Sequence, residues 1–227
     1  PAENPWVEPG CLEDDLVRRD FTINAMALVL GDGGSVPELL DLHGGQRDLA
    51  ARQLNFLHAR SVKDDPTRVV RAARYAARLD FSLALEALEQ VRCTLEGWPW
   101  RWHQGDCLDS VPPALSTRLR MEMELLFERE PWRIAVVRLQ EWGAMTLLDR
   151  QLQLDGQLIR RLHWAERLNV PLLCALAAAS ATPQCLARRL QLPLQQQRRI
   201  DQWIAMRCWM SEHVLPHPWQ SWSAARW

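Results

Sequence analysis

The chain has 227 residues, 48% of them hydrophobic, with 27 lysines and arginines against 28 acids and a formal net charge of -1. That content is enough for one large or two small domains. It excludes a globally basic nucleic-acid binder, so any anionic partner must be met by a local cluster of arginines. No apolar run approaches the ~20 residues that a membrane-crossing helix needs, which excludes such a span.

Residues 1–10 hold Pro1, Pro5, Pro9 and Gly10 and cannot start a helix or a central strand; they are expected to form a connector. The chain begins Pro1-Ala2-Glu3-Asn4 without an initiator methionine, from which we expect processing or an incomplete chain. Leu12–Arg18, acidic first and basic last, suits a short helix through its fit to the helix dipole. "FTINAMALVL" predicts a strand ending near Leu30, punctuated by Gly-Asp-Gly-Gly at 31–34. "SVPELLDLHGGQRDLAARQLNFLHA" predicts a second strand, a turn at Gly44-Gly45, a short helix and a third strand at 53–57. The two glycines suit a tight turn and a close backbone approach, since no phosphate-loop spacing follows them, and His43 before them reads as structural.

After Asp65-Pro66 the period becomes helical and stays so, over 66–79, 82–96, 114–128, 131–142, 157–168, 171–180, 183–191 and 194–210. The stretch 97–113, with "GWPWRWHQGD" and Pro112-Pro113, is the one long loop, expected to separate two helical subregions. There is no internal repeat at a fixed period. Residues 12–57 are thus mixed α and β, and the rest is a helical array.

The most informative helix is "DDPTRVVRAARYAARLDF". Pro66 suits its first position, and Asp64 and Asp65 supply acceptors where a helix start favours them. At about 100° per residue, Arg68, Arg71, Arg74 and Arg78 share one sector of about 120°. Val69, Val70, Ala72, Ala73, Ala76, Ala77 and Leu79 fall on the opposite half. Such a row also describes an ordinary solvated face. Against that, only Asp64, Asp65 and Asp80 lie nearby in sequence to neutralise it. The planar guanidinium fork is the side chain of choice for phosphate oxygens and base edges.

"EDDLVRRDFTINAMA", "DLHGGQRDL" and "DDPTRVVRAARYAARLDF", in that order and spacing, resemble three successive signatures of the bacterial tRNA nucleotidyltransferase and poly(A) polymerase family, of the type that builds or completes the tRNA 3′ CCA end. The resemblance covers residues 12–81. A weaker one continues through "LSTRLRMEMELLF" and "VVRLQEWGAMTLLD", and beyond 150 only a helical region is shared. It implies a mainly α fold: a partial mixed α/β head at 1–60, a helical neck at 61–130 that binds nucleotide and RNA, and a helical body and tail at 131–227 that bind tRNA. It places Arg18, Arg19 and Asp20 at a nucleotide pocket, an arginine touching the triphosphate, with Asn24 supporting the turn. Asp65 and Arg68 would present an acceptor and a donor fork to the Watson-Crick edge of the incoming base, and Arg71 and Arg74 would complete the triphosphate side. An acid and a fork one helical turn apart can satisfy the donors and acceptors of cytosine or adenine.

The family's catalytic centre holds two metal ions, expected to be magnesium, on two carboxylates one residue apart after a glycine-rich turn, upstream of the arginine-arginine-aspartate signature. Residues 1–17 contain neither pattern. Glu13, Asp14 and Asp15 read as the acidic start of a helix. The expectation is therefore an amino-terminally truncated member with its metal ligands outside the chain, so that no catalytic or metal-binding residue is assigned here.

The six cysteines, Cys11, Cys93, Cys107, Cys174, Cys185 and Cys208, show no metal-ligand spacing, and no secretory leader is seen. The expected compartment is the reducing cytoplasm. The six histidines form neither a His-Asp dipeptide nor a helical pair, which leaves a metal phosphohydrolase domain unsupported. Twelve tryptophans, among them those of "WPWRWH" at 98–103 and Trp203, Trp209, Trp219, Trp222 and Trp227, could stack on RNA bases or serve as packing anchors. In "QQQRRIDQWIAMRCW", Arg198 and Arg199 are candidates for tRNA backbone contact, though a solvated helix face looks the same.

The expected function is addition of CMP, AMP or both to tRNA 3′ ends, with CTP and ATP as substrates, this chain supplying base selection and RNA binding. CCA, CC-only, A-only and poly(A) addition share all these motifs. The competing expectations are a non-catalytic RNA-binding helical protein and one half of a split enzyme.

Overall fold

The computed structural model of the chain describes residues 10–30, 36–97 and 113–214. The expected connector, the glycine run at 31–34, most of the tryptophan-rich loop and the last three tryptophans lie outside them. The α/β portion runs α1 (Leu12–Val17), a 3-10 turn (Thr22–Asn24), β1 (Met26–Val29), β2 (Glu38–Asp41), α2 (Gly45–Ala50) and β3 (Gln53–Leu54). There follow α3 (Ser61–Asp64), α4 (Thr67–Leu79), β4 (Ser82–Leu83), α5 (Leu85–Gly97), α6 (Pro113–Arg129) and α7 (Trp132–Glu141). A 3-10 turn (Ala144–Leu147) leads to α8 (Gly156–Arg167), α9 (Leu172–Ala177), α10 (Pro183–Arg189) and α11 (Leu194–His213). The fold is mainly α with a small α/β head portion, as the periodicities predict. None of the described helices is long and apolar enough to cross a membrane.

The described residues fall into two compact units, those of 1–98 with 129–144 and those of 99–128 with 145–227. In the first unit, β1 and β2 pair antiparallel from Met26↔Asp41 to Val29↔Glu38. Leu28 and Leu39 sit opposite each other on one face of that hairpin and are exposed. Asp41 ends β2 and caps α2, accepting from the N–H groups of Gly45 at 2.7 Å and Gln46 at 2.9 Å. These donors hold its carboxyl below the usual range. Gly44 takes a left-handed φ of 75°, and a Cβ on Gly45 would stand 2.4 Å from the carbonyl oxygen of Thr22. The turn and the close approach expected of this pair are both present, and they seat α2 on the 3-10 turn.

Two elements depart from the sequence expectation. Ser82–Leu83, placed at the start of a helix over 82–96, forms β4 and pairs parallel with β3. Arg52 and Leu54 offer carbonyls to the N–H groups of Ser82 and Ala84, both at 3.1 Å, and this long-range pairing outweighs local helical period. α3 has only four residues and no side-chain cap, and so gives no local signal; Gln90 of α5 anchors it by accepting from the N–H of Val62 at 2.9 Å.

α4 starts where Pro66 and Asp65 predict. The Asp65 carboxylate accepts from the N–H of Thr67 at 3.0 Å and from its hydroxyl at 2.6 Å. Val69, Val70, Ala72, Ala73, Ala76 and Ala77 are buried; α7, whose Ala135, Val136 and Leu139 are buried, packs against α4. Leu79, expected on that face, is exposed, because the helix ends beside it at Asp80 in a left-handed conformation with φ 55°. The arginine side of α4 meets an acid from far along the chain: Glu130, just before α7 and with its side chain fully buried, accepts from Arg74 at 3.3 Å and from Arg78 at 2.9 Å.

In the second unit, Thr117 of α6 donates to Gln191 at 2.7 Å and Arg120 donates to the Gln191 carbonyl. Buried Arg189 of α10 donates to the carbonyls of Leu147 and Leu148, and burial pushes its guanidinium down to about 9. It thus stays protonated at neutral pH.

Replacing Glu130 with alanine removes the buried carboxylate that Arg74 and Arg78 share. The expected loss is about 3–5 kcal/mol of folding stability, measured by chemical denaturation, against a loss well under 1 kcal/mol for the exposed Glu141→Ala.

Candidate functional site

In the first unit one open cleft of about 430 Å³ is lined by Arg18, Arg19, Asp20, Asn24, Asp65, Arg68, Arg71 and Tyr75. It joins two segments distant in sequence, the loop after α1 and the first two turns of α4. That loop is held from behind by a bridge between Phe21 and Phe56, whose rings stack at 5.3 Å, while Tyr75 meets Phe21 edge-on at 5.5 Å.

Asp20 is the centre of the arrangement. It is 7% exposed, and Oδ1 accepts from the N–H of Phe21 and from Asn24 Nδ2, both at 2.9 Å. Its Oδ2 accepts from Arg71 Nη1 at 3.0 Å. Asn24 thus ties the 3-10 turn to Asp20. Behind it a second buried carboxylate, Asp48, accepts from the Thr22 hydroxyl at 2.7 Å and from Asn55 Nδ2 at 3.0 Å, bracing the 3-10 turn. Asp48 carries no motif signal beyond its place in "GGQRDL".

The cationic side of the cleft is built from Arg18, Arg19, Arg68 and Arg71. Arg19 donates to Asp15 at 2.6 Å, an exposed pair whose hydrogen bond holds the Asp15 carboxyl below its usual range and raises the arginine. Arg68 Nη2 donates to the Arg18 carbonyl at 3.4 Å, which fixes the fork across the cleft. Its Nη1 is buried and has no acceptor among the described residues. A buried donor left in that state is unfavourable by about 1–3 kcal/mol, and an incoming acceptor would relieve it. Asp65 stands at the same helix end with its orientation set by Thr67.

The structure thus brings Arg18, Arg19, Asp20, Asn24, Asp65, Arg68 and Arg71 to one cleft. Arg74 does not join them; it is 8% exposed and points at Glu130. The row drifts about 60° round the helix with each three-residue step, so Arg74 lies about 120° from Arg68 and faces α7. The expectation that the row lacked acids looked only at neighbouring positions, whereas its partners are Asp20 and Glu130, 51 and 56 residues away. Tyr75 was missed, although its spacing of four from Arg71 and seven from Arg68 marks the same helical stripe. Arg198 and Arg199 lie exposed on α11, in the second unit.

The acids at the cleft do not fit a divalent metal. Asp20 is spent on three donors and Asp65 on Thr67, and no group of three metal-ligating side chains occurs among the described residues. What the cleft offers is a set of donors that suit an anion, with a carboxylate beside an unsatisfied guanidinium N–H.

Residues 3–55 match the family described as the Poly A polymerase head domain. The CC-adding tRNA nucleotidyltransferase of Deinococcus radiodurans is 47% identical over 148 residues, 65% of this chain and 35% of that protein. The Multifunctional CCA protein of Cupriavidus pinatubonensis is 52% identical over 90 residues, 38% of this chain and 21% of that protein. The chain spans about a third or less of the length of these curated relatives. Among solved structures, a CCA-adding enzyme in complex with CTP has a TM-score of 0.63 at 26% identity, over 89% of this chain and 50% of that one.

Asp20→Ala should remove one buried carboxylate acceptor from Arg71 and release the turn at Phe21. The expected result is a loss of about 2–4 kcal/mol in denaturant unfolding, with Asn24→Ala costing about 1 kcal/mol, because only one of the three hydrogen bonds goes.

Proposed function

We propose that the chain is a member of the bacterial tRNA nucleotidyltransferase and poly(A) polymerase family, which includes the CCA-adding enzymes, and that its cleft receives CTP or ATP for addition of CMP or AMP to a tRNA 3′ end. The observation that carries this reading is the buried, unsatisfied Nη1 of Arg68 beside Asp65 at the head of α4. Cytosine and adenine both present an exocyclic amine next to a ring-nitrogen acceptor. A carboxylate and a guanidinium N–H complement that pair, whereas uracil and guanine present a carbonyl next to an N–H and would leave both protein groups unmatched.

In this reading Asp65 accepts from the exocyclic amine and Arg68 donates to the ring nitrogen. Arg18, Arg19 and Arg71 face the triphosphate, and Asp20 with Asn24 keeps the loop in place. Arg74 is a brace of α4 through Glu130 instead of a phosphate contact. Residues 1–60 form part of a head, 61–130 a neck, and 131–227 a body and tail that carry the tRNA, with Arg198 and Arg199 touching its backbone. In-line attack by the tRNA 3′ hydroxyl on the α-phosphate, with the α–β phosphoanhydride bond breaking and pyrophosphate leaving, would call for carboxylates that hold divalent magnesium. The described acids do not fit that ion, so we assign Asp65 to the base and Asp20 to holding the loop.

Titration calorimetry with the four nucleoside triphosphates tests the proposal. CTP or ATP should bind more tightly than UTP and GTP, and Arg68→Ala should weaken binding by about tenfold or more, the worth of one charge-assisted hydrogen bond. Equal affinity for all four, unchanged by Arg68→Ala and Asp65→Ala, would reject it. A second reading, an RNA-binding helical protein or half of a split enzyme, draws on the exposed arginines of α11. It predicts tRNA binding with a steep salt dependence and no effect of CTP or ATP.

A further inference from the structure

Two arginines from different helices of the second unit converge on one indole. Arg207 lies 4.7 Å from the Trp203 ring centroid, four residues away on α11, and Arg161 of α8 lies 5.0 Å from the same centroid. A further stack, Arg167 over Trp164 at 5.3 Å, stands on α8. About one such stack per 70–80 residues is usual, so this concentration on two helices is not the background level. Arg161 and Arg207 have no ion pair with any described residue, and α8 and α11 together hold six arginines against Glu166, Asp201 and Glu212 in a chain of net charge -1. Burial, and then the charge of Arg207, push the Arg161 guanidinium below its ordinary range, against a smaller opposing pull from Asp155 at the start of α8. Two like charges held near one ring are relieved by an anion placed between them.

Arg207 also borders an open cleft of about 880 Å³, between Thr182, Pro183 and Gln184 on one side and Ile204, Cys208 and Ser211 on the other. Apolar walls with a few hydroxyl and amide groups suit the flat faces and polar edge of a nucleobase. We propose that Arg161, Trp203 and Arg207 form an RNA contact in which a backbone phosphate sits between the two guanidiniums and the adjoining unpaired base enters the cleft beside Arg207. The indole already orders both forks, so little side-chain freedom is lost on binding. This site rests on the reading of the chain as an RNA-processing protein and gives that reading a second, separate contact.

Fluorescence anisotropy with a labelled tRNA lacking its CCA end, measured across a NaCl series, tests it. Arg161→Ala and Arg207→Ala should each weaken binding about 3- to 10-fold and lower the log–log salt slope by about one. Arg207→Lys, at an exposed position that keeps its charge, should keep the slope and lose part of the affinity, because ammonium stacks poorly on indole. Trp203→Ala should weaken single-stranded RNA more than duplex RNA of equal length. Arg92→Ala, an exposed arginine of α5, is the charge-matched control. Affinity within twofold of the unaltered chain and an unchanged slope for both alanine variants overturns the proposal. Equal loss for single-stranded and duplex RNA overturns the placement of the base, and failure of the unaltered chain to bind tRNA overturns the whole. CTP titration of the same samples separates the two sites, since the reading of the first cleft fails on CTP and this one fails on RNA.

Discussion

The contact between Asp20 and Arg71 joins residues 51 positions apart at 3.0 Å, with the carboxylate almost out of water. Moving a carboxylate out of solvent costs several kcal/mol, and that cost is recovered only where its oxygens find good donors. Asp20 has three, one from the backbone of the next residue, one from Asn24 and one from α4. The geometry is therefore all-or-none. Either the loop after α1 is tight and α4 is docked against it, or a charge lies buried without partners. The arginines of the cleft stand on either side of this joint: Arg18 and Arg19 precede it in the chain, and Arg68 lies one turn before Arg71.

Glu130 performs the equivalent task on the same helix one turn and more beyond Arg71. Between them the two carboxylates divide a row of identical side chains into parts with different uses. Arg71 is held at the cleft by one acid; Arg74 and Arg78 are drawn to the other. Arg68, at the head of the row, is left with a buried N–H that nothing in the described protein accepts. The buried N–H without an acceptor thus lies at one end of α4, while the arginines further along the row meet acids.

Much of this was legible in the chain itself, and the limit has a physical form. Features set by neighbours within one turn were readable: the start of α4 at Pro66 and Asp65, the turn and close approach at Gly44-Gly45, the apolar face of small residues, the periods of the later helices. Features set by distant partners were not. β4 exists because Arg52 and Leu54 offer it carbonyls, and Ser82-Leu83 alone has no strand signal. Arg74 looked like a phosphate ligand because its acid lies 56 residues away. The convergence of Arg161 and Arg207 on Trp203 depends on α8 and α11 meeting, which their separate periodicities do not encode.

The chain leaves the first unit after residue 98 and returns to it only at 129. During synthesis, everything that lines the first cleft, from Arg18 to Tyr75, has been made well before Glu130 emerges. At roughly 5–20 residues per second the interval between Tyr75 and Glu130 lasts several seconds. Throughout that interval the acid that Arg74 and Arg78 share in the finished unit has yet to be made. The order in which residues leave the ribosome thus makes the first unit a structure completed in two instalments, its cleft before its anchor.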